Sequence, residues 1–253
     1  MPLTFERCLE LVAEQSAALA AAVGTGELTD AVPSCPGWTA RDLITHHGNV
    51  LRVWASVAEA AEPAAPADWM TDDDATPPWD GPGADVQPWY VACRRTFAET
   101  FAGTGPDGAA WTWWGEPNTT RAIARHQVQE AAVHRWDAQV AAGLDGAPLP
   151  HDAAVDGVEE FLTVSLPAAA PPWDRAPVSV GLRADGVRPW LLAGGGGAVT
   201  ARPYDPDVTT PAATVTATAS DLVLLLYGRI AVRRLDVTGD RDSAALLLDN
   251  PQD

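Results

Sequence analysis

The chain contains no lysine: all 16 of its basic residues are arginine. Both side chains solubilise a surface, so this absence reports a GC-rich genome, bacterial by expectation, more than it reports a function. Positive charge is scarce altogether. Against 34 acidic residues it leaves a net charge of −18, which argues against nucleic acid and anionic membrane as partners, because both are polyanions that attract basic surfaces. Cysteine is scarce too. Cys8, Cys35 and Cys93 are odd in number and share no C-x2-C spacing, so neither a disulfide framework nor a zinc ribbon is indicated, and reduced thiols are expected. No stretch approaches the roughly 20 apolar residues of a spanning helix. The start, Met1-Pro2-Leu3-Thr4-Phe5-Glu6-Arg7, lacks the basic segment and apolar core of an export signal, which points to the cytoplasm. Gly194 to Gly197 lies in no strand-to-helix phosphate-binding pattern, so no nucleotide site is indicated. There are no internal repeats.

What is present is helical periodicity, then strands. Leu3 to Val23 carries spaced leucines and valines among alanines with no internal glycine or proline, a first helix. Pro36 and Gly37 break the chain, Thr39 can cap, and Asp42 stands three residues later, which starts a second helix near Thr39 that runs to about Ala61. A long Pro-, Asp- and Trp-rich connection from Glu62 to Pro88 reads as a lid or binding loop, or as a solvated excursion. A third helix is expected over Trp89 to Phe101 and a fourth over Thr120 to Ala142, with Trp111, Trp113 and Trp114 between them as packing residues.

Beyond Gly143 to Pro148 the pattern changes. One helix over His151 to Leu166 precedes expected strands at Val178 to Leu182, Trp190 to Leu192, Ala213 to Thr218 and Leu235 to Thr238, with a hairpin turn at Asp185-Gly186 and helices at Asp221 to Tyr227 and Asp240 to Leu248. The expected fold class is α+β in two domains: a four-helix bundle over residues 1–147, then a smaller mixed domain with a mainly antiparallel sheet over 148–253.

The chemistry-bearing pattern is Glu130 and His134. Four residues apart on a helix, a carboxylate and an imidazole stack on one face, where they can grip one metal ion. Alone, such a pair is an ordinary helical contact, so the reading needs a further donor. His46 and His47 offer one. Helical spacing puts His46 on or beside the apolar face of Leu43, Val50 and Val53, with His47 about 100° away, so His46 is expected to point into the bundle. His126, four residues before Glu130, extends the ladder as a fourth donor or, two turns from His134, as a solvent-edge residue.

Two segments together, Pro33-Ser34-Cys35-Pro36-Gly37-Trp38-Thr39-Ala40-Arg41-Asp42-Leu43-Ile44-Thr45-His46 and Glu130-Ala131-Ala132-Val133-His134-Arg135-Trp136-Asp137, resemble the mycothiol-dependent maleylpyruvate isomerase family. The stretch Ala219 to Arg229, with Val237-Thr238-Gly239-Asp240, looks like that family's C-terminal domain. The resemblance implies a DinB-like bundle that holds a divalent metal, typically zinc, through His46, Glu130 and His134. It also implies mycothiol as the thiol cofactor, a small electrophilic substrate, and an arginine for a substrate carboxylate, for which Arg229 is the candidate; pairing with a surface acid is the other reading of Arg229. Arg135 and Asp137 are expected to be structural, buttressing the donors. The resemblance leaves isomerisation and S-transfer both open. Two other readings stand beside them: a metal- or small-molecule-binding protein without turnover, and a hydrolase using metal-activated water. Monomer and homodimer are equally compatible.

Overall fold

A computed structural model of the chain describes residues 2–62, 86–169 and 171–249. Most of the Pro-, Asp- and Trp-rich connection, residues 63–85, therefore lies outside the described residues, and so does its reading as a lid. The chain splits into two compact units, Pro2–Ala147 and Pro148–Asp253.

In the first unit, four helices form a bundle: α1 (Phe5–Val23), α2 (Ala40–Ala60), α3 (Gln87–Thr104) and α4 (Thr120–Ala141). Three of the four starts carry a side-chain cap. The Thr4 hydroxyl accepts from the Arg7 amide and begins α1; the Thr119 hydroxyl accepts from the Ala122 amide and begins α4. At α2 the box is reciprocal, because Thr39 accepts from the Asp42 amide while the Asp42 carboxylate accepts from the Thr39 amide at 2.8 Å. Two orphan amides are satisfied at once. Thr39→Ala is expected to lower stability by about 1 kcal/mol. Urea unfolding followed by circular dichroism measures this, and an unchanged midpoint would refute it.

The buried positions of α2 are Ala40, Leu43, Ile44, His47, Gly48, Leu51, Trp54, Ala55, Val57 and Ala58, a stripe of helical period. Its centre runs through His47 and Leu51. The expected stripe through Leu43, Val50 and Val53 is thus rotated from the observed one, and His47, not His46, points into the core. Gly48 explains the phase. A Cβ there would stand 2.4 Å from the Trp89 ring, so the missing side chain lets α3 close on this face of α2. The tryptophans do pack: Trp54 lies 6.4 Å from Trp111 and 5.6 Å from Trp114 between ring centroids.

The second unit is mixed. Helix α5 (His151–Glu160) passes through a single π-helical stretch, Phe161–Ser165, into the short α6 (Leu166–Ala169). Six strands follow in the order β1-β4-β3-β2-β5-β6, from β1 (Pro172–Trp173), β2 (Val178–Ala184), β3 (Val187–Gly195), β4 (Gly197–Pro203), β5 (Ala213–Thr216) and β6 (Asp236–Gly239). Every pairing is antiparallel except β2 with β5. Helices α7 (Ala219–Leu226) and α8 (Arg241–Leu248) complete the unit. The core gathers Val180, Leu182, Trp190, Val215 and Leu222, all buried. The architecture is the expected α+β. Strands β1 and β4 are additions, and the glycine run Gly194 to Gly197 makes the end of β3 and the turn into β4, where Gly196 and Gly197 take φ of 61° and 93°. Among the described residues no helix is long and apolar enough to cross a membrane.

Candidate metal centre

Three side chains from two helices meet on the bundle. His46 extends from α2, while Glu130 and His134 stand one turn apart on α4. Glu130 Oε1 lies 3.1 Å from His46 Nε2 and 3.2 Å from His134 Nε2. One donor atom from each of the three falls within 4.8 Å of the others. For an ion with bonds of about 2.0–2.1 Å, donors at tetrahedral corners stand about 3.3 Å apart, so these spacings suit a small divalent cation. The set is two neutral-capable imidazoles and a carboxylate, which leaves one tetrahedral corner for an incoming group. The His46 side chain is 38% exposed, against 20% and 9% for Glu130 and His134. Access is therefore from the His46 side.

The surroundings orient these groups. Asp137, fully buried one turn beyond His134, meets His134 Nδ1 at 2.9 Å and accepts from the Ser34 hydroxyl at 2.6 Å. In the neutral ring that a cation would need, a proton held on Nδ1 by Asp137 leaves the lone pair of Nε2 toward Glu130 and His46. Cys35 Sγ stands 3.8 Å from Asp137 Oδ2, the oxygen that meets His134, and Cys35, His134 and Asp137 form a second cluster of possible donors that shares His134 with the first. Trp38 caps the outer side, its ring 4.8 Å from that of His46 and 6.3 Å from that of His134. Its position eight residues before His46, in the same motif, was the available signal for this role.

Burial lowers the affinity of His134 for a proton, but the Glu130 carboxylate and the hydrogen bonds to Asp137 and Glu130 outweigh it and lift its pKa to about 9. Burial likewise works against ionised Glu130, and the same imidazole reverses it, holding the carboxyl well below its ordinary range. The metal-free pair is an ion pair. The sign of its pH dependence follows. The His134 contribution to metal-free stability is present below about pH 6.5 and is lost as pH rises through about 9,. A cation competes with that proton, so metal affinity is expected to rise across the same window by up to tenfold per pH unit. Metal titrations at steps from pH 6.5 to 9 measure the slope; a flat profile would refute the linkage.

The other expected residues fall elsewhere. His126 packs on Trp114 and Trp113, at 4.7 and 5.8 Å between centroids, and belongs to neither donor cluster found among the described residues. His47 is fully buried, its Nδ1 at 2.8 Å from the Tyr90 hydroxyl, and burial pushes its pKa down to about 3. Arg135 bonds to Gln15, Gln139 and the Ala147 carbonyl, tying α4 to α1. Arg229 belongs to the second unit, half-buried, and donates to the Tyr227 carbonyl at 2.7 Å.

Comparison with known proteins follows the same division. A comparison with curated protein sequences found no match. Among solved structures, the crystal structure of the mycothiol-dependent maleylpyruvate isomerase and that of a histidine-to-alanine mutant both superpose with a TM-score of 0.65 at 12% identity, covering 93% of this chain and 93% of theirs. That likeness shows the fold. The family model described as the mycothiol maleylpyruvate isomerase N-terminal domain matches residues 9–139, and the MDMPI C-terminal domain matches residues 152–246. With just over half of the chain matched by the first model and most of the rest by the second, the chain belongs to the mycothiol maleylpyruvate isomerase family.

Proposed function

We propose that this chain is a mycothiol-dependent isomerase that holds a divalent cation through His46, Glu130 and His134 and acts on a small electrophilic cis-alkene resembling maleylpyruvate. The observation that carries the reading is the convergence of two imidazoles and a carboxylate within 4.8 Å in a chain of this family. A cation held there supplies Lewis acidity, lowering the pKa of a thiol so that it is anionic near neutral pH. The thiol supplies a reversible nucleophile: addition to a cis double bond conjugated with a carbonyl allows rotation about the resulting single bond, and elimination returns the trans isomer and the free thiol.

The chain's own residues do the rest. Glu130 brings the negative charge that offsets a cation beside the two imidazoles. Asp137 keeps the His134 lone pair facing the donor cluster. Trp38 limits the approach of bulk water from outside. Arg229 supplies a planar, doubly donating cation suited to a substrate carboxylate. S-transfer, in which the adduct is itself the product, uses the same groups.

Metal content of purified wild-type, His46→Ala and His134→Ala proteins tests the reading, together with mycothiol titrated into the cobalt-substituted form. Near-stoichiometric metal that is lost in both variants, and a thiolate-to-cobalt charge-transfer band, are the expected results. Metal-free wild type would sink the site, and bound metal indifferent to thiol would favour water activation or a binding role. Product analysis with a maleylpyruvate-like alkene separates isomerisation from S-transfer, since only the former regenerates free thiol.

A further inference from the structure

His47 is the buried polar group for which the triad has no use. Its side chain is wholly inside the bundle, and the ring stands edge-on to the His134 ring at 6.4 Å between centroids and 88° between planes. Nδ1 is engaged by the Tyr90 hydroxyl. Nε2 lies on the far side of the ring from that bond and has no hydrogen-bond partner among the described residues. Gln127, three residues before Glu130 on α4, repeats the pattern: it is 1% exposed, and among the described residues neither its amide nitrogen nor its amide oxygen has a partner. Buried polar atoms without partners are rare because each forfeits its hydration. Both stand on the helices that carry the donors, His47 next to His46 on α2 and Gln127 three residues before Glu130 on α4.

We infer that His47, oriented by Tyr90, is a positioning residue whose Nε2 hydrogen-bonds the sulfur of the thiol that enters the donor cluster. The assignment rests on the thiol-dependent reading above. If the Tyr90 hydroxyl donates to Nδ1, one proton remains on the imidazole, at Nε2, and the unpartnered atom is a donor. An N–H donor favours the anionic form of sulfur, adding to what a cation supplies. Tyr90 is thus coupled to the site through His47.

The test uses cobalt-substituted protein and reads the charge-transfer band during titration with mycothiol and, separately, with 2-mercaptoethanol. His47→Phe removes both nitrogens at similar volume, whereas His47→Gln returns an amide nitrogen near the place of Nε2. The expected result is unchanged cobalt binding, thiol affinity about 10- to 100-fold weaker in His47→Phe, and recovery of most of it in His47→Gln. The small thiol should show the same loss, because the contact is to sulfur. Wild-type thiol affinity in His47→Phe would overturn the inference, as would equal losses in both variants. Should His47→Phe fail to fold, Tyr90→Phe carries the test: weaker thiol binding at unchanged cobalt affinity is expected, and no change overturns it. Wild type that takes no cobalt, or shows no thiol band, instead defeats the functional reading, and the inference falls with it.

Discussion

Glu130→Gln is expected to abolish binding of a divalent cation at the proposed site. The carboxylate oxygen sits between two imidazole nitrogens, 3.1 Å from one and 3.2 Å from the other, and it carries the cluster's formal negative charge. An amide of the same shape keeps an oxygen there but removes that charge. Structural zinc sites bind with about 10–16 kcal/mol in total; one donor's share, on the order of 3–4 kcal/mol, corresponds to a loss of 100- to 1000-fold. Metal retained after dialysis and the binding constant from calorimetry measure it, and wild-type metal affinity in Glu130→Gln would remove this residue from the site. A second readout comes from the metal-free protein. Without the carboxylate the burial of His134 is opposed only by Asp137, so its pKa should drop from about 9, and the decline in metal-free stability toward alkaline pH should shrink.

Asp137→Asn should weaken metal binding by about 10- to 100-fold, less than the loss of a donor but far more than a surface change. Asp137 is not one of the three proposed donors. Its effect passes through His134, where a carboxylate at 2.9 Å from Nδ1 can only accept and so selects the tautomer whose Nε2 is free to bind. An amide can present its NH2 instead, which moves the ring proton to Nε2 and blocks it. The Ser34 hydroxyl, which donates to the other carboxylate oxygen at 2.6 Å, helps to hold Asp137 in place. Nitrogen chemical shifts of His134 read the tautomer directly. Unchanged shifts together with unchanged metal affinity would show that Asp137 is structural packing and no more.

Much of this was legible in the chain itself. The start of α2 followed from Thr39, because a capping hydroxyl bonds amides only two or three residues ahead; the same device at Thr4 and Thr119 emerged only in the structure. The Glu130–His134 stack followed from helical geometry. Strands β2, β3 and β5 were readable from runs of valine, leucine and threonine. Strand β4, Gly-Ala-Val-Thr-Ala-Arg-Pro, was not, because its pairing with β3 is a tertiary partnership that outweighs a weak local preference. The π-helical stretch at Phe161–Ser165 likewise left no sequence signal.

The site divides along the same line. Local physics assigned His46, Glu130 and His134 their helices and put the last two on one face. Which face of α2 turns inward was decided elsewhere, by the Trp89 ring filling the space over Gly48. That rotation buries His47 and leaves His46 at the rim, against the simplest reading of the apolar stripe. The packing that sends His126 to Trp114 and brings Ser34 from the first connection to Asp137 on α4 joins residues that no spacing rule connects. Sequence alone determined the main helices, the cap of α2 and the donors that share a turn, because those depend on neighbours within about four residues. Only the tertiary structure decided which side chains face one another across helices, because that depends on the rotation of each helix, set by the shapes packed against it.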